Sequence, residues 1–202
     1  RVIAAASPRL KVVSYGRAGD ALRLMSRTDS ESGQALTVVI NGTAAHPLKL
    51  PLIGDFQAMN ALCAAGLACA TGAVPEAALA ALASLRPVPG RLERVGAARG
   101  GAAPVFVDYA HTPDALAAAL SALRPHARGR LMVVFGCGGD RDAGKRPQMG
   151  AVAARLADRL FVTDDNPRSE RPGDIRAQIL AACPDANEIA DRAEAIAVAV
   201  RA

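Results

Sequence analysis

The stretch Leu131-Met-Val-Val-Phe-Gly-Cys-Gly-Gly-Asp-Arg141 decides the fold. Its apolar run, ended by a glycine loop carrying charged groups, reads as a strand buried on both faces that opens into a binding loop. The same rhythm recurs on either side. Val105-Phe-Val107 runs into Asp108-Tyr-Ala-His111 and a helix starting near Thr112-Pro113-Asp114, with Thr112 as N-cap and Pro113 in the first helical position. Leu160-Phe-Val162 runs into Thr163-Asp-Asp-Asn-Pro-Arg168 and a helix near residues 173–182. A helix at about residues 148–157 separates the second strand from the third. A weak strand around Asn187–Ala190 precedes a helix over Arg192–Arg201. Strands alternating with helices predict an α/β architecture, here a Rossmann-like, mostly parallel sheet with helices on both faces.

Upstream the rhythm differs. Runs at Lys11–Tyr15, Ala21–Met25 and Ala35–Ile40 are broken by Gly, Asp, Ser and Asn and predict antiparallel strands in a meander, with Asn41-Gly42 as a hairpin turn. Two alanine-rich helices follow, at about Phe56–Thr71 and Pro75–Ser84. Arg86-Pro-Val-Pro-Gly90 then interrupts all regular structure, which places a domain boundary between residues 1–87 and 88–202.

Composition removes several classes of function. The chain of 202 residues carries 24 Lys+Arg against 19 Asp+Glu, and at 51% hydrophobic and 21% charged it holds enough apolar material for a core. Four Phe, two Tyr and no Trp leave few stacking platforms for a single-stranded nucleic acid. All the cations but Lys11, Lys49 and Lys145 are Arg, a bias that discounts the net charge of +5 as a sign of nucleic-acid binding. The longest weakly polar run, Ala61–Val74, falls short of the roughly 20 apolar residues that cross a bilayer. Cys63, Cys69, Cys137 and Cys183 show neither CxxC pairing nor a His at ligand spacing, so they read as structural thiols in a reducing cytosol and no metal site is assigned. The expected setting is cytoplasmic, with small-molecule partners, no nucleic acid and no membrane. With Arg1 in place of Met, the chain is expected to be a piece of a longer protein.

Ligands of open parallel sheets sit beyond the carboxyl ends of the strands, and there the polar clusters fall. Gly139-Asp-Arg-Asp-Ala-Gly-Lys-Arg146 comes within one residue of a P-loop, but Arg146 offers no hydroxyl to Mg²⁺, and Asp140 and Asp142 would repel a polyphosphate. The glycines also miss the GxGxxG spacing of a dinucleotide site. Arg141, Lys145 and Arg146 beside Asp140 and Asp142 suit a zwitterion, because Arg grips a carboxylate through two hydrogen bonds. Asp164-Asp-Asn-Pro-Arg168 offers the same mixture. The competing reading is that these side chains cap the next helices and pair with one another. His111 contacts a ligand or orients its turn, Asp108 accepts from a ribose hydroxyl or caps a turn, and His46 and His126 read as exposed turn residues.

Taken in order, Pro89-Gly-Arg-Leu-Glu93, Asp108-Tyr-Ala-His-Thr-Pro113, Phe135-Gly-Cys-Gly-Gly-Asp-Arg141, Gly144-Lys-Arg-Pro147 and Thr163-Asp-Asp-Asn-Pro-Arg168 resemble the Mur ligases of peptidoglycan synthesis. Gly54-Asp-Phe-Gln-Ala-Met-Asn60 is similar to a stretch of that family's central ATPase domain, with Gln57 departing from its usual Asn. The resemblance implies that residues 1–87 end a central ATPase domain and that residues 88–202 form most of a C-terminal domain. It implies a monomeric ligase that uses ATP and Mg²⁺ to activate a carboxylate of UDP-MurNAc-L-Ala-D-Glu as an acyl phosphate, which a diamino acid then attacks. It places Asn60, Arg91, Asp108 and His111 at ATP, and Arg141, Asp165, Asn166, Pro167 and Arg168 at the amino acid. Asp-Asn-Pro-Arg is the family's pattern for meso-diaminopimelate, which exceeds lysine by one carboxylate that an Arg rewards. The family's P-loop, carbamylated Lys and Mg²⁺ ligands would lie upstream of Arg1, and its last pocket segment beyond Ala202. No catalytic residue is therefore assigned, and the chain alone is expected to be inactive. The rivals are a lysine-adding or D-Ala-D-Ala-adding Mur ligase, a folylpolyglutamate synthetase, and a non-catalytic nucleotide-binding module.

Overall fold

Asn41 and Gly42 both sit at positive φ, 46° and 71°, and Thr43 N–H closes the turn on Ile40 O at 2.9 Å. That is the geometry that lets Asn-Gly join two twisted strands, here β3 (Gly33–Ile40) and β4 (Ala45–Leu50). The computed structural model describes residues 12–30 and 32–202, and the chain divides after Pro87 into two compact units, Arg1–Pro87 and Val88–Ala202.

In the first unit the sheet runs β1-β2-β3-β4, with β1 at Tyr15–Gly16 and β2 at Leu22–Ser30. The last three strands are antiparallel, as the meander predicts. β1 differs by pairing parallel to β2. Gly16, at φ 102°, lets the chain coil back so that Ser14 O accepts from both Ala21 and Leu22 N–H. The Lys11 end of that predicted strand lies outside the described residues. Alternate residues Leu22, Leu24, Leu36, Val38 and Ile40 face α1 (Asp55–Ala70), whose Ala58, Ala61, Leu62 and Ala65 form a stripe at helical spacing. Leu79 of α2 (Pro75–Ala81) and Leu82 close that core. Buried Gln34 donates to Leu52 O and Gly54 O, both at 2.8 Å, and so fixes the chain where α1 begins.

In the second unit β5 (Glu93–Ala98) and β6 (Ala103–Val107) form an antiparallel hairpin, followed by α3 (Pro113–Leu123). β7 (Met132–Phe135), β8 (Arg159–Val162) and β9 (Asn187–Glu188) form a parallel sheet in that order. α4 (Lys145–Leu156) and α5 (Pro172–Leu180) are its crossovers and α6 (Arg192–Arg201) ends the described chain. The architecture is mixed α/β with a parallel sheet and helices. The expected strand at Val105–Val107 is present, but its ladder is with β5 rather than with the parallel strands.

Both crossovers advance in one direction, and right-handed connections put α4 and α5 on one face, where α3, α4 and α5 pack as a row. α6 packs on β7 and β8. Leu116, Leu120, Phe135, Met149, Val162, Ile175 and Ile179 are buried between the layers. Thr112 caps α3, its hydroxyl accepting from Ala115 N–H at 3.3 Å, with Pro113 in the first turn. α4 starts at Lys145, three residues before its predicted start at 148.

Candidate functional site

The loops that leave β7 and β8 are joined backbone to backbone. Gly139 N–H donates to Asn166 O at 2.9 Å, and Arg168 Nη1 donates to Gly139 O at 2.6 Å. A Cβ built on Gly136 would lie 2.3 Å from Thr163 O, so glycine is what allows this approach. Pro167–Glu170 is a tight turn closed by Glu170 N–H on Pro167 O at 3.0 Å, with Arg168 at φ 51°. Facing it, Asp140 also sits at φ 51°. A left-handed non-glycine residue costs roughly 1–2 kcal/mol, and the surrounding bonds offset that cost. Asp140 Oδ1 accepts from Ser169 Oγ at 2.6 Å and Oδ2 from Ser169 N–H at 3.2 Å, which holds the Asp140 carboxyl below its ordinary range.

Arg146 is 0% exposed. Its Nη1 donates to Glu170 Oε2 at 2.8 Å and Gln178 Oε1 at 2.9 Å; its Nη2 donates to Glu170 Oε1 at 2.8 Å and Gly138 O at 3.2 Å. That fork, and then the Asp140 N–H on Oε1 at 2.6 Å, lower the Glu170 carboxyl to about 2. Arg146 therefore leaves the set of surface cations grouped for a zwitterion: it is a buried strut whose two terminal nitrogens are taken up by Glu170, Gln178 and Gly138 O. Asp164 is likewise occupied, paired with Arg176, which also binds Glu188 at 2.7 Å. For these two residues the pairing alternative holds.

Arg141, Asp165, Asn166 and Arg168 are exposed. Arg141 and the Asn166 side chain make no hydrogen bond or ion pair among the described residues. Asp165 lies 3.9 Å from Arg192. Pro167 is half-buried at the start of the turn. The edge thus presents two guanidinium groups, one free and one anchored through a single nitrogen, beside a carboxylate and an amide. Such a set can hold a zwitterion's carboxylates and ammonium together.

A third loop joins this edge. Lys145 Nζ donates to His111 O at 2.8 Å. Asp108 accepts from Leu92 N–H and Ala110 N–H, each at 2.9 Å, so it caps a turn with both oxygens. Tyr109, 67% exposed, carries the Arg91 guanidinium 5.3 Å from its ring centroid and the His111 ring edge-on at 5.3 Å. His111 Nδ1 lies 3.0 Å from Tyr109 O. Three of the residues expected at ATP thus gather around Tyr109, which sequence reasoning passed over although it stands inside Asp108–His111. Asn60 belongs to the first unit, exposed on α1 with its amide 3.4 Å from Gln57 Oε1. Ser169, Glu170 and Gln178 were also missed. Their role depends on pairing across the loops, although Ser169-Glu170 directly follow the tetrapeptide. Among the described residues no three His, Cys, Asp or Glu side chains group as a metal centre.

Fold and loops together define an α/β domain whose polar loops gather at the carboxyl ends of its parallel strands. The chain belongs to the Mur ligase family: residues 90–202 match the Mur ligase, glutamate ligase domain. It is 56% identical over 198 residues to the UDP-N-acetylmuramoyl-L-alanyl-D-glutamate--2,6-diaminopimelate ligase of Caulobacter vibrioides, a match covering 98% of this chain and 40% of that protein. A solved structure of a ligase of the same name is 34% identical, with a TM-score of 0.61 over 92% of this chain and 39% of its own. The Mycobacterium tuberculosis folylpolyglutamate synthase complexed with ADP is 27% identical, with a TM-score of 0.72 over 92% of this chain and 41% of its own. The chain thus spans about 40% of the length of the curated relatives it matches.

Proposed function

We propose that this chain is the amino-acid-selecting part of an ATP-dependent ligase that adds meso-diaminopimelate to UDP-MurNAc-L-Ala-D-Glu in the cytoplasm, for peptidoglycan synthesis. The observation that carries the reading is Arg168: exposed, fixed by one nitrogen to Gly139 O, with the rest of its fork available on a loop bonded to the one that carries Arg141. In this reading Arg168 and Arg141 hold carboxylates of the diamino acid, while Asp165 and Asn166 orient its ammonium end. Lysine lacks the distal carboxylate and would forfeit the charge-assisted bonds that the free part of the Arg168 fork offers it. The 56% identity to a diaminopimelate ligase supports the same substrate.

The unit Val88–Ala202 would hold ATP through Arg91 at its phosphates and Asp108 at its ribose, with His111 adjacent to Asp108 and Tyr109 as the ring platform; Asn60, in the first unit, is assigned to the base by the resemblance alone. The activated carboxylate, as an acyl phosphate, supplies the leaving group; the described side chains align the amine that attacks it. Mg²⁺ would neutralise phosphate charge, and no residue of this chain is assigned to it. Among the described residues no helix is long and apolar enough to cross a membrane.

The test is ligation by the intact enzyme. Arg168→Ala should raise KM for meso-diaminopimelate at least about tenfold, the value of one charged hydrogen bond, while leaving KM for ATP nearly unchanged. Equal loss for both substrates, or efficient use of L-lysine by the unsubstituted enzyme, would overturn the assignment.

A further inference from the structure

Arg168 does not hold its position by itself. The residue sits at φ 51° at the first corner of its turn, a place glycine ordinarily takes, and the next two residues are the ones tied down. Ser169 is bound twice by Asp140, and Glu170 is bound by both terminal nitrogens of Arg146 and by Asp140 N–H. Arg146 is fixed in turn by Gln178 of α5 and by Gly138 O. The chain of bonds therefore runs from the α4 and α5 helices through Glu170 to the turn that carries Arg168.

We propose that Arg146, Glu170, Asp140 and Ser169 form a positioning latch that sets where the Arg168 guanidinium meets the distal carboxylate of the amino-acid substrate. This inference rests on the functional reading above. Planarity is why the latch is built from Arg and Glu: an end-on fork fixes direction as well as distance, which an ammonium at position 146 would not do. The single anchor on Gly139 O leaves Arg168 free to swing about that bond unless the turn behind it is held. None of the four latch residues need touch substrate, so they act through Arg168 and are positioning residues.

The test uses the intact ligase with Glu170→Gln, Ser169→Ala and Arg146→Lys, and Ser169→Thr as the variant that keeps the hydroxyl. Glu170→Gln and Ser169→Ala should raise KM for meso-diaminopimelate by about tenfold, with KM for ATP and for the UDP-linked substrate within about twofold. Selectivity over L-lysine should fall in parallel, and Ser169→Thr should restore it. A uniform rise in all three Michaelis constants would overturn the latch. So would a lowered melting temperature with selectivity intact. Should Arg146→Lys fail to fold, the Glu170 and Ser169 variants decide alone. If the unsubstituted enzyme adds a different amino acid, the functional reading fails, and the latch also falls unless the KM of that amino acid alone responds to the same variants.

Discussion

The carbonyl oxygen of Pro167 stands 1.9 Å from the point where a Cβ on Gly139 would lie. Carbonyl and methyl cannot share that space, and the obstacle is backbone rather than a side chain that swings aside. Gly139→Ala must therefore drive the two loops apart, breaking Gly139 N–H to Asn166 O and the Arg168 anchor. We expect a destabilisation of about 2 kcal/mol or more, measured by denaturant unfolding. Gly173→Ala is the control: its Cβ would meet only Arg176 Nη2 at 3.7 Å in the first turn of α5, so stability should hold or rise by up to about 1 kcal/mol.

Glu170 gives the second unit an acid-sensitive joint. Its carboxyl ionises at about 2 in the folded protein against an ordinary 4.5, lowered by the Arg146 fork. A depressed folded value means that the ionised, paired form stabilises the fold above the unfolded value and that this contribution is lost as pH falls through the folded one. The stabilisation should be complete at neutral pH and should fade between about pH 4.5 and 2. Glu170→Gln should lower stability at pH 7 and flatten the acid limb. Chemical unfolding at pH 7, 5, 4 and 3 would show it, and parallel acid limbs in both proteins would contradict it.

Asp108 joins Leu92 to Ala110 through two backbone bonds, and Leu92 is itself left-handed at φ 47°. Removing the carboxylate orphans two N–H groups. Asp108→Ala should cost about 1–3 kcal/mol even without nucleotide. Asp108→Asn, which keeps one acceptor, should cost less. Unfolding of the two variants without nucleotide checks this, and equal stability to the unsubstituted chain would leave the capping role without support.

What the sequence disclosed was local. Thr112-Pro113 and Asn41-Gly42 are readable because cap and turn depend on neighbouring residues. β5 was missed because Glu93-Arg-Val-Gly-Ala-Ala98 has one β-branched residue and no alternation. Its antiparallel ladder also changes how β6 pairs. Arg146 was misplaced for another reason. Beside Lys145 it looks like one more loop cation, whereas its meaning is set by Glu170, 24 residues on. Arg141 and the Asp165–Arg168 segment were legible as a group because strand ends collect ligand-binding loops.

The cysteines report whether the joined loops stay joined. Cys137 and Cys183 are each 3% exposed, and burial raises both thiols above their ordinary range; Cys63 and Cys69 are half-buried. Since the thiolate is the reactive form, a disulfide reagent at pH 7.5 should modify Cys63 and Cys69 first. Cys137 lies in the same loop as Gly139, with its sulfur 3.6 Å from the Met149 sulfur. Forcing that loop away from residues 163–170 uncovers it. In Gly139→Ala, Cys137 should therefore react markedly faster, while Cys183, packed 3.3 Å from Ile179 O of α5, keeps its slow rate. Mass spectrometry of the labelled peptides distinguishes the two. Equal acceleration at both would mean that the substitution loosens the whole unit rather than parting two loops.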